Sequence, residues 1–441
     1  MDFQSIRDGA TGSRILIVGG GYIGMYVARH LERRLRGTGH KLVLVNPDNF
    51  MLYQPFLPEV ASGLIDPRAV VVPLRRVLRQ TQLILGEVER LDHEAKRATV
   101  RLGGGDRRDI AFDLAILGAG SWSRTLPIPG LADHGVGFKN LPEAIWLRNR
   151  VLSQLDRAAE LTDADARRAA LTFVFVGAGF AGIEALGELE ELARAAAKTI
   201  PQIRSEDQRW VMVEAGPRIL PELDAPLAQY AAARLRQRGI TLRTSTRLER
   251  ADAGLVYLSD GEALPTETLV WTAGVKAAPV TTALGLPLDQ RGRIAVDRTL
   301  RVVGARDMWA AGDCAAVPDA DAVSGTSPPT AQHALRQARV LAANVAATLE
   351  GGTLRPFRYT NKGMLCSLGH YRGVANPFGV RITGFAAWFL HRTYHLAYMP
   401  TWSRKARIAL DWTVALLFPR DIAQLGSLEH PRDAFRRAAG E

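Results

Sequence analysis

Short unbroken apolar runs that close on glycine recur along this chain, separated by stretches with helical spacing. The first is RILIVGGGYIG, Arg14 to Gly24, where Ile15 to Val18 lead into glycines at 19, 20, 21 and 24. A run without in–out alternation predicts a parallel strand covered on both faces. KLVLVN, Lys41 to Asn46, predicts its partner, giving a strand–helix–strand unit over 14–46. LTFVFVGAGFAGIEALGEL, Leu171 to Leu189, repeats the pattern, with WVMVEAGPRIL as its second strand. The 32 positions from Gly182 to Glu214 leave room for a long helix, roughly 182–200, and a polar loop, PQIRSEDQ. Three further runs end in the same way: FDLAILGAG from Phe112, LVWTAG from Leu269 and DMWAAG from Asp307. A helix is predicted over 330–349. Short strands are expected up to about Val100, and Pro127, Pro129 and Gly130 mark a crossing out of the first domain. Residues 46–67 are aperiodic, but Phe50, Leu52, Tyr53, Phe56 and Leu57 make them a packed segment beside a flat ligand. Residues 1–13 read as a loose leader. Strands alternating with helices predict an α/β chain built on parallel sheets.

The glycines fit G-x-G-x-x-G twice, as Gly19, Gly21, Gly24 and as Gly177, Gly179, Gly182. The first of each set allows a tight turn, the second lets a pyrophosphate approach the backbone, and the third lets the helix pack close to the strand. N–H groups at the helix start then face the phosphates. One such match is weak. Two in the same setting imply two dinucleotides and two Rossmann-like domains. The residue closing the second strand of such a unit usually takes the adenosine ribose. Asn46 holds that place in the first copy, with Asp48 beyond it, and Glu214 holds it in the second. A carboxylate there would bind free ribose hydroxyls and repel a 2′-phosphate, favouring NADH, although Arg218 lies close enough to blur that preference. Asp313, directly after Gly312 at the end of a buried run, is costly there unless hydrogen-bonded.

At 441 residues the chain exceeds one ordinary core and suggests two or three domains. Its apolar fraction of 47% fits a globular protein. Cys314 and Cys366 are far apart, with no C-x-x-C. That excludes a zinc ribbon and a dithiol redox pair, leaves no metal site expected, and fits a reducing cytosolic compartment. No run reaches the roughly 20 apolar residues that cross a bilayer, and MDFQSIRDGATGS lacks the apolar core of a secretory signal. The net charge of +11 points to an anionic partner, and residues 355–441 hold 13 Lys+Arg against 5 Asp+Glu. In that region Trp388, Phe389, Tyr394, Tyr398, Trp402 and Trp412 interleave with Arg392, Arg404, Lys405 and Arg407. Pro400 splits the stretch from Gly384 to Phe418 into two helices too short to span. The mixture suits the headgroup level of a membrane, with a core or homodimer contact as the compatible alternative; no nucleic-acid module is visible.

The two fingerprints, 158 positions apart, with a closing AAGD at Ala310 to Asp313, resemble the two-dinucleotide-binding flavoprotein superfamily. Within it, YQPFLPEVASG (Tyr53 to Gly63), WTAGVKAAP (Trp271 to Pro279), TAQHALRQ (Thr330 to Gln337) and FRYTNKGMLCSLG (Phe357 to Gly369) are similar to type II NADH:quinone oxidoreductases. The likeness covers about residues 13 to 425. It implies non-covalent FAD in a discontinuous domain of residues 13–140 and 273–350, NADH in an inserted domain at 141–272, and a membrane-association or dimer region at 355–441. For FAD it implies Gly19, Gly21, Gly24 and Asn46 at the adenosine and pyrophosphate and Asp313 at the ribityl chain. Tyr53, Gln54 and Gln332 would lie near the isoalloxazine, with Gly120 also on the FAD side. For NADH it implies Gly177, Gly179 and Gly182, Glu214 at the ribose, and Ala273 and Gly274 near the nicotinamide half. Glu184 matches the acid the family keeps at the nicotinamide–flavin contact, and Lys362 the lysine near the flavin edge. Alternatively, Glu184 is a helix-start acid favoured by the dipole and Lys362 a solvated loop lysine.

The departure lies at the acceptor. The family commonly shows A-Q-x-x-x-Q, but here Arg336 stands in the second glutamine's place, and Gln337 lies one step, about 100°, around the helix. Arg336 suits a quinone carbonyl or a quinol anion, and equally a blocked slot or a different acceptor. The resemblance implies a peripheral enzyme on the cytoplasmic face of the cell membrane that oxidises NADH and reduces quinone without pumping ions. The alternatives are a soluble NADH-dependent reductase with a protein or small-molecule acceptor, and a flavin-binding redox sensor. Removing residues from about 384 onward is expected to release the protein from liposomes and leave FAD bound.

Overall fold

The computed structural model describes residues 12–320, 322, 324–424 and 436, so nearly all of the leader read at 1–13 lies outside the described residues. The chain forms two compact units, each assembled from three stretches, and passes between them after residues 52, 70, 124, 274 and 361.

Unit 1 comprises Met1–Leu52, Val71–Arg124 and Val275–Asn361. Its seven-stranded sheet runs in the order Met308–Ala310, Leu114–Leu117, Arg14–Val18, Lys41–Asn46, Thr81–Asp92, Arg97–Leu102 and Arg107–Ala111. The first five are parallel, and the last two extend the sheet as an antiparallel meander. Ile15, Leu16 and Ile17 are completely buried at its centre, as an unalternated run requires. The short strands expected up to Val100 include one twelve-residue strand, Thr81–Asp92. Its burial alternates where it leaves the parallel sheet and one face meets solvent. The helices Tyr22–Arg34 and Ala331–Glu350 pack together. Thr330 caps the latter by accepting the His333 N–H.

Unit 2 comprises Tyr53–Val70, Thr125–Gly274 and Lys362–Glu441. Its sheet is wholly parallel, in the order Gly135–Gly137, Thr268–Trp271, Thr172–Val176, Arg209–Val213 and Thr241–Arg243. A three-stranded antiparallel sheet over Leu248–Asp252, Leu255–Leu258 and Ala263–Pro265 shares one apolar core with Val174, Val211 and Trp271. The long helix is Phe180–Ala197, two residues earlier at its start than expected and three shorter at its end. Residues 53–70, expected within 13–140, pack in unit 2 instead. Tyr53, Phe56 and Leu57 are buried, and the Phe56 ring meets His395 and Trp412 edge-on at 5.9 and 5.7 Å.

The C-terminal stretch forms two helices, Gly384–Tyr398 and Trp402–Leu417, parted at Pro400 as expected. Among the described residues no helix is long and apolar enough to cross a membrane. Not all of the aromatic and basic residues expected at a surface lie there. The Arg392 guanidinium sits between the rings of Trp388 (4.3 Å) and Trp412 (4.9 Å) and donates to Glu59 Oε1 at 3.2 Å. Trp412 Nε1 donates to Glu59 Oε2 at 2.7 Å. Burial raises the Glu59 pKa, and the inward-turned Arg392 cation beside it opposes the rise. Phe385, Phe389, Trp402, Leu410, Val414 and Leu417 are exposed.

Candidate functional site

The two glycine turns are built in the same way. Gly19 N–H donates to the Val45 carbonyl at 2.9 Å, and Gly177 N–H to the Val213 carbonyl at 2.8 Å. Gly20 N–H donates to Asn46 Oδ1, and Ala178 N–H to Glu214 Oε2, both at 2.7 Å. The first glycine has positive φ in each case, +94° and +105°. A Cβ at Gly24 would lie 1.8 Å from the Gly19 oxygen, and one at Gly182 would lie 2.1 Å from the Gly177 oxygen. At Gly21 an added Cβ meets nothing within 4 Å, and at Gly179 only the Glu222 carboxylate at 3.7 Å. The helices begin at the next residue, with no capping side chain and no acid in the first turn. Their positive ends and orphan N–H groups are therefore open to an anion.

Asn46 and Glu214 thus hold the turns as well as closing the strands. Asn46 Nδ2 also donates to the Asp48 carbonyl at 2.8 Å, and Glu214 Oε1 accepts from Gly216 N–H at 2.7 Å. Each carboxylate oxygen has a second lone pair, so Glu214 keeps capacity for hydroxyl donors. Arg218 is tied back to its own loop, donating to Leu223 O at 2.7 Å and Pro221 O at 2.9 Å. Ala273 packs on the second turn, where its N lies 2.6 Å from a Cβ built at Gly177. The Thr272 hydroxyl donates to Gly177 O at 2.8 Å, and Gly274 follows with φ +91°.

In unit 1 a hydrogen bond of the kind expected for Asp313 comes from Ser121, whose hydroxyl donates to Oδ2 at 2.6 Å. Gly120, directly before it, has φ +71° and open space at its Cβ position. The preceding Gly312 N–H donates to Gln337 Oε1 at 2.8 Å. Gln337 is buried, so its rotation around the helix gives it a different task from an acceptor-side glutamine: it clasps the Asp313 turn. Gln332 and Arg336 lie on the same helix and meet Tyr359, whose hydroxyl donates to Gln332 Oε1 at 2.9 Å. Cys314 and Cys366 are free, buried thiols in different units. Burial pushes the Cys314 pKa up to about 11 and that of Cys366 well above the ordinary value, so neither offers a thiolate at neutral pH.

The other expected residues belong to unit 2. Glu184, past the first helical turn and mostly buried, accepts the Ser367 N–H at 3.0 Å and lies 3.0 Å from His391 Nε2. It is a fixed internal acid, not a solvated helix-start one. Tyr53 O–H donates to the His395 carbonyl at 3.0 Å, and Gln54 Nε2 to the Lys139 carbonyl at 3.0 Å. Burial, with His391 adding to it, holds the His395 pKa well below its ordinary value, so the ring is neutral. Lys362 is exposed at the start of the last stretch. Sequence reasoning missed Ser121, Tyr359, Thr272 and His391. Only Ser121 carried a local signal, being the first hydroxyl after a strand-ending glycine.

The family model for pyridine nucleotide-disulphide oxidoreductases matches residues 13–338. A type II NADH:quinone oxidoreductase from Mycobacterium tuberculosis is 30% identical over 422 residues, covering 92% of this chain and 89% of the relative. One from Staphylococcus epidermidis is 30% identical over 390 residues, covering 86% and 93%. A demethylphylloquinone reductase from Synechocystis is 29% identical over 407 residues, covering 90% and 95%. The solved structure of NDH2 from Plasmodium falciparum in complex with NADH superposes with a TM-score of 0.85 at 16% identity, over 93% of this chain and 99% of that one. With a family model spanning both glycine turns and relatives matched over most of their length, the chain belongs to the pyridine nucleotide-disulphide oxidoreductases and, among them, to the type II NADH:quinone oxidoreductases.

Proposed function

We propose that this chain oxidises NADH and reduces a membrane quinone through FAD, held non-covalently by unit 1, while unit 2 binds the NADH. Family membership carries the activity, and the duplicated turn, with no close contact at the second glycine of either copy, carries the two nucleotide sites. FAD, when bound, accepts a hydride from NADH and passes the electrons to the acceptor. In unit 1 the Gly19–Gly24 turn and the start of helix Tyr22–Arg34 would hold a pyrophosphate. Asp313, oriented by Ser121 and by the Gly312–Gln337 clasp, would take ribityl hydroxyls, beside Gly120. In unit 2 the Gly177–Gly182 turn and Glu214 would hold NADH, with Ala273 and Gly274 on the nicotinamide side. Glu214 is positioned to repel a 2′-phosphate, and Arg218, bound to two carbonyls, is not poised to neutralise one. Glu184, fixed by Ser367 and His391, would orient the nicotinamide or hold a proton. Gln332, Arg336 and Lys362 would serve the acceptor and its developing negative charge.

Docking on a membrane surface is supported by Leu410, Val414 and Leu417, which share one exposed face of the last helix at i, i+4, i+7 spacing. Trp402 and Phe389 are exposed too, and Arg404, Lys405 and Arg407 begin the same helix. A basic, aromatic surface of this kind suits an anionic leaflet, as on the cytoplasmic side of a cell membrane. The same apolar face would suit a homodimer contact.

The test is steady-state NADH oxidation by the purified, FAD-loaded protein with a short-chain ubiquinone, a menaquinone analogue and ferricyanide. Fast quinone turnover supports the proposal. Turnover with ferricyanide alone would instead support a second reading, favoured by Arg336 in the glutamine's place, of a reductase with another acceptor. Arg336→Gln then tells whether the guanidinium helps or obstructs quinone.

A further inference from the structure

We infer that Tyr359 is a positioning residue of the acceptor end: its hydroxyl fixes which end of the Gln332 amide faces the acceptor, and its ring holds Arg336 in place. The inference rests on the acceptor reading of Gln332 and Arg336 given above. Tyr359 lies in the irregular stretch after the helix Ala331–Glu350 and donates its hydroxyl proton to Gln332 Oε1 at 2.9 Å. A side-chain amide has two unlike ends, an oxygen that accepts and an NH2 that donates. A donor fixed on the oxygen decides the flip and turns the NH2 end the other way. That orientation matters for a quinone, because its carbonyl oxygens only accept. An amide flipped the other way would set oxygen against oxygen.

The same ring organises the neighbouring residues. The Arg336 guanidinium lies over its face, 4.2 Å from the centroid, where the ring quadrupole attracts a cation. Arg336 Nη1 also donates to the Gln332 carbonyl, one helical turn back, at 2.8 Å. The His333 ring meets Tyr359 edge-on at 4.8 Å, with its Nδ1 paired to the Thr330 hydroxyl at 2.7 Å. One side chain therefore touches Gln332 through its hydroxyl, Arg336 through its face and His333 through ring–ring contact. A long, flexible arginine in a glutamine's place needs such a support if its charge is to be presented in one position.

The experiment compares the full-length, FAD-loaded wild type with Tyr359→Phe, which keeps the ring, and Tyr359→Leu, which loses both ring and hydroxyl. The substrate is a short-chain ubiquinone, and calorimetric binding of the corresponding quinol is a second readout. Tyr359→Phe is expected to raise the quinone KM about three- to tenfold, the range of one hydrogen bond, with kcat changed less than about twofold. The quinol Kd moves by the same factor, and Tyr359→Leu raises both further. A wild-type quinone KM in Tyr359→Phe, or an equal loss of kcat with quinone and ferricyanide, overturns the positioning role even if Tyr359→Leu fails to fold. A wild type that reduces ferricyanide but no quinone overturns the acceptor reading itself, and this inference with it.

Discussion

A methyl group added at Gly24 or Gly182 has no room, because each glycine rests on the carbonyl of the first glycine in its turn. The two sites nevertheless make separable predictions. Gly24→Ala is expected to purify with about a tenth of the wild-type flavin, measured as the visible-to-protein absorbance ratio, because the helix start must move off the strand. Gly182→Ala is expected to keep its flavin and raise the NADH KM about tenfold or more in steady-state assays. Glu214→Ala removes both the turn's hydrogen bonds and the charge proposed to repel a 2′-phosphate. It should raise the NADH KM about tenfold and narrow the preference over NADPH. The glycines were legible because their spacing is local. The second task of Asn46 and Glu214 was not, since each grips an N–H 26 or 36 residues away. Tyr359 lies within the family-like stretch Phe357 to Gly369, but no periodicity distinguishes it from its neighbours.

The helix Phe180–Ala197 carries four glutamates and one arginine from Glu184 on, and Glu184, Glu188 and Glu190 are buried with the Glu191 side chain nearly so. Arg194, one turn on in the same helix, pairs with Glu190, but the other partners come from elsewhere in unit 2: Arg238 bonds Glu190, while Glu191 pairs with Arg420 at 2.8 Å and accepts the His370 N–H. No sequence window contains the pairings with Arg238, Arg420 and His370, so the helix was legible and most of its charge balance was not. Burial first, and Glu188 second, lift the Glu191 pKa from 4.5 to about 7 against Arg238 and Arg420. Between those values the folded chain holds a proton that the unfolded chain has lost, so stability falls as pH rises from about 4.5 to 7. Glu191→Gln should flatten that slope in thermal-melt midpoints taken across the same range. The clamp of Glu59, Arg392 and Trp412 gives a second test at this scale. Arg392→Met leaves a buried carboxylate without its cation and should cost about 3 kcal/mol in denaturant unfolding. Adding Glu59→Gln should recover part of the loss.

Over the whole molecule, the α/β class and the C-terminal helix pair could be read from pattern alone, but the inward turn of Trp388, Arg392 and Trp412 could not. That inward turn changes how membrane docking must be examined. Deleting residues from 384 onward also removes Arg392 and His391, the partners of Glu59 and Glu184, so lost liposome binding would report damage to unit 2. Leu410→Gln, Val414→Gln and Leu417→Gln together alter only an exposed face. They should abolish sedimentation with anionic liposomes and leave flavin content and melting midpoint unchanged. The five passages of the chain between units also set a timetable for synthesis. Chains emerge from the ribosome at about 5–20 residues per second and tend to fold from the N-terminus. All stretches of unit 1 exist once residue 361 is made. Glu59, Glu184 and Glu188 must wait for Arg392, His391 and Arg420. From residue 361 to residue 420, about 3–12 seconds of synthesis at that rate, unit 2 is a nascent body whose buried acids lack their partners, and a ribosome stalled before residue 392 would hold it there as a client for chaperones.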